Sequence, residues 1–111
     1  PLKVADATKL KPGHYLAYGV GDDGAVLYEC TVTVKEPKPN VFIVRWSLGY
    51  IGIGRVNEGT LVIGWSDDKL RGVHTGKPTD KGWTFKQLML PSNGQLVTEE
   101  WEWLAPLKMG E

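Results

Sequence analysis

The sequence predicts an all-β domain: eight antiparallel strands in an up-and-down meander, closed into a barrel. Three observations predict it. Tyr28, Trp46, Trp65, Trp83 and Trp101 recur at intervals of 18, 19, 18 and 18 residues, close to two strands plus two turns and foreign to a helical period. Eight alternating or β-rich stretches are separated by short connections carrying Gly, Pro, Asn and Asp. No ten-residue window has the pattern of an amphipathic helix. Closure removes the two edges that an open eight-strand sheet would expose. The alternative is a two-sheet sandwich, whose Greek-key crossings usually need longer connections than this chain offers.

Residues 1–13 lack clear periodicity and read as a leader that ends at Pro12-Gly13. The single barrel domain spans 14–104, and 105–111 form a C-terminal tail. The first strand covers 14–20, followed by the turn Gly21-Asp22-Asp23-Gly24. Residues 25–34 alternate cleanly, with Val26, Tyr28, Cys30, Val32 and Val34 on one face. Pro37-Lys38-Pro39-Asn40 is expected to stop that strand, because proline cannot donate to a central ladder. Strands follow at 41–47, 50–56 and 60–66, a weaker one at 70–75, and a final pair at 83–90 and 95–104. The longest connection is predicted at 76–82. Pro91-Ser92-Asn93-Gly94 joins the last two strands.

Composition narrows the function classes. With 111 residues the chain is long enough for one small core, and 41% hydrophobic with 23% charged residues is ordinary for a globular domain. Thirteen basic and thirteen acidic residues cancel, which argues against nucleic acid as a main partner. The single cysteine, Cys30, excludes an intramolecular disulfide, and its mid-strand apolar setting predicts an inert thiol. There is no membrane-spanning apolar stretch and no signal-peptide pattern. The chain starts at Pro1 without methionine, an expectation of a processed form that leaves export from a bacterial cell, and the compartment generally, open.

Catalytic motifs are weak. His14 and His74 lack metal-ligand spacing, Ser47, Ser66 and Ser92 sit in or beside turns, and Glu99, Glu100 and Glu102 read as a solvated acidic edge. Gly52-Ile53-Gly54 lies inside a strand pattern with no helix after it. It therefore reads as room for large neighbours, Trp46 and Trp65, and not as a phosphate loop. Arg45 and Arg55 interrupt apolar strands and are expected to reach the rim, the other reading being an inward pair for a ligand carboxylate.

The aromatic series has two readings. The rings fill a narrow eight-strand lumen, or they line its mouth as a ligand site whose candidate residues are Tyr28, Trp46, Trp65 and Trp101. Alternate strand directions put Tyr28, Trp46 and Trp65 near one end, and Trp83 and Trp101 near the other. Trp101, Trp103 and Glu99 share one face of the last strand, but each face is mixed, so the inward side stays open.

Several segments together resemble a family of bacterial proteins of unknown role built as small lipocalin-like (calycin) barrels. They are Gly13-His14-Tyr15, Asp23-Gly24 with Tyr28, Val44-Arg45-Trp46, Gly52-Ile53-Gly54, Leu61-Val62-Ile63-Gly64-Trp65, and Gly94-Gln95-Leu96 leading to Trp101. The resemblance covers most of 13–104 and implies a lipocalin- or avidin-like barrel, without assigning an activity. True lipocalins carry Gly-x-Trp where this chain has Gly13-His14-Tyr15, with a last-strand arginine that is lacking here. The biotin-contacting set of avidins does not map onto the chain.

The sequence thus leads to a non-catalytic binding protein that takes a small apolar or ring-bearing ligand at an aromatic barrel mouth. The alternative is a protein–protein interaction module with a fully packed core. A small hydrolase or isomerase using His14 or His74 is the remaining reading. No cofactor and no metal is implied, and the oligomeric state is left open.

Overall fold

A computed structural model describes residues 9–90 and 97–111. Its strands are β1 (Gly13–Gly21), β2 (Val26–Lys38), β3 (Val41–Trp46), β4 (Ile51–Asn57), β5 (Thr60–Ser66), β6 (Arg71–Pro78), β7 (Gly82–Leu90) and β8 (Val97–Ala105). Each pairs antiparallel with its neighbour in sequence, and β8 closes on β1. The predicted meander barrel is the observed fold, and among the described residues there are only strands and their connections. The sandwich is therefore set aside.

Two boundary expectations are corrected. The Pro37-containing segment does not end β2, which continues to Lys38. The ladder is irregular between Lys35 and Lys38, so the proline sits where no regular hydrogen bond is required. The connection expected over 76–82 is shorter, because β6 runs through Pro78 and pairs it with Trp83. The predicted turn at 91–94 lies outside the described residues.

Period-two alternation sorts the side chains. Tyr15, Ala17, Cys30, Val32, Val34, Phe42, Val44, Trp46, Leu61, Ile63, Trp65, Trp83, Phe85 and Trp101 point inward and form one core. Leu10, which the sequence places in the leader, belongs to that core with 1% exposure. Nearby, the Tyr15 hydroxyl donates to the Lys11 carbonyl at 2.6 Å, and the Lys11 ammonium lies 4.0 Å over the Trp103 ring. Residues 10 and 11 thus pack onto the barrel end that carries the β2–β3, β4–β5 and β6–β7 turns.

Large inward rings need small residues opposite. A Cβ on Gly19 would strike the Tyr28 ring, and one on Gly72 would lie 2.5 Å from Cζ2 of Trp65. Gly52 and Gly54 act similarly, although their crowding neighbours are Ile63 and Trp65 on β5, where Trp46 and Trp65 had been expected.

The outer wall is asymmetric in charge. Ile43, Ile53, Gly64, Val73 and Leu88 stand side by side in register across β3 to β7. Around them are Arg45, Arg55, Arg71, Lys77 and Lys86, all exposed. Arg45 and Arg55 thus face outward, not into the lumen. The β8–β1–β2 wall instead carries Glu29, Glu100 and Glu102 beside Tyr18.

Candidate functional site

The barrel end bearing the β1–β2, β3–β4 and β5–β6 turns holds a cavity of about 360 Å³. Tyr28, Trp46, Tyr50, Trp65, Leu27, Leu48, Leu70, Met89 and Val97 form its apolar walls, and Gln87, His74 and Glu99 supply its polar atoms. The volume lies in the range of small-molecule pockets, and an apolar lining with a few convergent polar groups is their usual make-up.

At its inner end sits a carboxylate that the sequence had assigned to a solvated edge. Glu99 is 1% exposed. The correction follows from register: Glu99 lies opposite Gly19 on β1 and Phe85 on β7, so its face of β8 is the inward one. Burial is tolerated because donors from three strands converge on it. Trp46 Nε1–H and Trp101 Nε1–H donate to Oε2 at 2.8 and 2.7 Å, and the Tyr28 hydroxyl donates to Oε1. Desolvation by burial pushes the Glu99 pKa up. The donors from Tyr28, Trp46 and Trp101 favour the charged form and offset it, so the carboxyl is held below its ordinary range. It is therefore an anion inside the barrel at neutral pH.

His74, on β6, is the second buried polar side chain, with 2% exposure. Trp65 Nε1 lies 2.8 Å from His74 Nδ1. Indole N–H can only donate, so Nδ1 is the acceptor and the imidazole proton resides on Nε2. Nε2 is 3.3 Å from Glu99 Oε2 but makes no hydrogen bond. The reason is occupancy: the two indoles already take both lone pairs of Oε2. A ring fixed in this tautomer is neutral, so the His74–Glu99 contact is a dipole facing a charge and not an ion pair.

The phenol of Tyr28 is raised in pKa, first by burial and then by the charge of Glu99, which keeps it a donor. Gln87 Nε2 approaches the same hydroxyl at 3.4 Å. Cys30 is pushed up to about 11 by burial and carries no thiolate character at neutral pH.

Tyr28, Trp46 and Trp65 thus stand together on the cavity wall. Trp101 does not line the cavity; it lies beneath and reaches the site through its indole bond to Glu99 and its edge contact with Trp46. Trp83 packs deeper, stacked at 6.4 Å on Phe85. Trp103 is half-buried at the other end of the barrel, with its ring edge-on to Tyr15. Sequence reasoning missed Tyr50 and Gln87, read Glu99 as a solvated edge, and named His74 only as a candidate for catalysis. For Glu99 a signal existed, since it shares a strand face with Trp101 and Trp103; for His74 it was the alternation with Gly72 and Gly76.

Among the described residues, no three His, Cys, Asp or Glu side chains gather as a metal site, and no helix is long and apolar enough to cross a membrane. Fold and site together define an eight-stranded meander barrel with an aromatic cavity over a buried carboxylate. No family model and no curated protein matches the chain in sequence.

Proposed function

We propose that this protein is a non-catalytic binder of a small, ring-bearing or apolar ligand, held in the cavity between Tyr28, Trp46, Tyr50 and Trp65. The observation that carries the reading is the cavity itself: 360 Å³ bounded by four aromatic rings is space that the side chains of an eight-strand barrel would otherwise fill. Catalysis is not part of the proposal. The His74 nitrogen nearest Glu99 carries its proton and cannot take another, and the Cys30 thiol is protonated.

The test is a titration with an environment-sensitive apolar dye, followed by energy transfer from the tryptophans. Saturable uptake near one dye per chain, abolished by Leu70→Trp at the cavity wall, is the expected result. Unsaturable or absent uptake, with quencher-resistant tryptophan emission, overturns the proposal.

A second reading, a protein–protein interaction module, draws on the outer wall. An apolar row five strands wide, surrounded by cations, is complementary to an acidic, apolar protein surface. This reading predicts self-association at low ionic strength, through the chain's own Glu29, Glu100 and Glu102 wall. Sedimentation of the wild type and of Ile53→Asp tests it; a monomer at all salt concentrations counts against it.

A further inference from the structure

We infer that the cavity selects an organic ammonium ligand: a positively charged amine on a ring-bearing or apolar body. The inference rests on the binding reading above and names the ligand class for that site.

The argument is a charge inventory. Of the described residues that line the cavity, Glu99 is the one carboxylate, and donors from Tyr28, Trp46 and Trp101 favour its charged form. His74 is neutral because Trp65 fixes its tautomer. Among the described residues, no lysine or arginine lines the cavity. At the rim, Asp67 accepts from the Lys69 and Leu70 amides and is held below its ordinary range, adding a second anion that Lys69 partly offsets. The cavity therefore holds a negative potential within low-dielectric walls, which strengthens it.

The hydrogen-bond inventory agrees. Trp46 and Trp65 spend their only N–H donors on Glu99 and His74, so toward the cavity they offer ring surface alone. Tyr28 spends its proton on Glu99. Acceptors remain: Oε1 of Glu99 has taken one donor, and the Tyr28 oxygen keeps lone-pair capacity. His74 Nε2–H, unpartnered and buried, is aligned to no acceptor and lies against the Glu99 carboxylate. An anionic ligand would meet like charge with no cation to receive it. An ammonium finds a carboxylate below it and aromatic faces around it, an arrangement that recognises such cations.

Three closely related indoles test this by calorimetry at pH 7: tryptamine as cation, tryptophol as its isosteric neutral alcohol and indole-3-acetate as anion. The expected order is tryptamine at least tenfold tighter than tryptophol, with indole-3-acetate weakest. Glu99→Gln should erase the tryptamine advantage, while Met89→Glu, which adds a carboxylate at the cavity wall, should increase it. If tryptophol or indole-3-acetate binds as tightly as tryptamine, the ammonium inference is overturned while the cavity reading stands. If none of the three binds and the dye fails as well, both fall. The wild-type ranking decides the matter even if Glu99→Gln does not fold.

Discussion

His74 Nε2 and Glu99 Oε2 lie 3.3 Å apart inside the barrel without forming a hydrogen bond, because two indole N–H groups already occupy that oxygen. Burying a carboxylate here is costly, and removing its partners one by one should expose how the cost is offset. Glu99→Ala leaves the Tyr28 hydroxyl and two indole N–H groups unpaired in the core. It is expected to destabilise the fold by about 3 kcal/mol or more, read from chemical denaturation.

Acid stability follows with a definite sign. The Glu99 carboxyl is lower in pKa in the folded state than its ordinary 4.5. Its contribution is therefore fully present above that value and is lost as pH falls through the depressed folded one. Tyr28→Phe deletes the donor to Oε1, raises the folded pKa and should move the acid-unfolding midpoint to higher pH. At pH 7 the same variant should cost about 1–2 kcal/mol. An unchanged acid midpoint would separate Glu99 from acid unfolding.

The imidazole tautomer is directly observable. Nitrogen NMR of His74 should show Nδ1 without a proton and Nε2 protonated at neutral pH, as the Trp65 bond requires. Trp65→Phe releases that constraint, and both tautomers should then populate.

Glycines facing opposite ways should respond oppositely. Gly72→Ala places a methyl against the Leu88 carbonyl and the Trp65 ring, and the backbone contact cannot move aside. A loss of about 2 kcal/mol is expected, together with weakened dye uptake as the Trp65 ring shifts. At Gly64, on the outer wall, a Cβ meets nothing. Gly64→Thr should stabilise the strand by about 0.5–1 kcal/mol. Urea midpoints that move in opposite directions check both.

Cys30, with its pKa pushed up to about 11 by burial, should react with a disulfide reagent no faster than the barrel opens. Rapid labelling of the native protein at pH 7 would mean that the β2–β3 region opens far below global unfolding.

The strands were legible because their determinants are local. Alternation in 25–34, glycine and aspartate in the turns, and the regular aromatic spacing each depend on residues a few positions apart. Boundaries failed where tertiary pairing carried a strand through a residue that sequence reads as a stop, as at Pro37 and Pro78. Of the site, Tyr28, Trp46 and Trp65 were readable as a group. Trp101 was grouped with them by spacing, yet lies below the cavity, since spacing reports similar strand positions and not equal depth.

By itself the sequence determined eight strands, their order, and which residues share a face. Alternation gives that much and then stops, because it separates two faces without saying which one is inward. On β8 each face carries acids and apolar residues, so only pairing to β1 and β7 could turn Glu99 toward the lumen. Tertiary structure also decided that the turn could be tolerated. The donors from Tyr28 and Trp46 lie 71 and 53 residues from Glu99 in the chain, and only closure of the barrel brings them to one carboxylate. A charge is stable in a core when its partners arrive with it, and that is a property of the assembled barrel and not of any single strand.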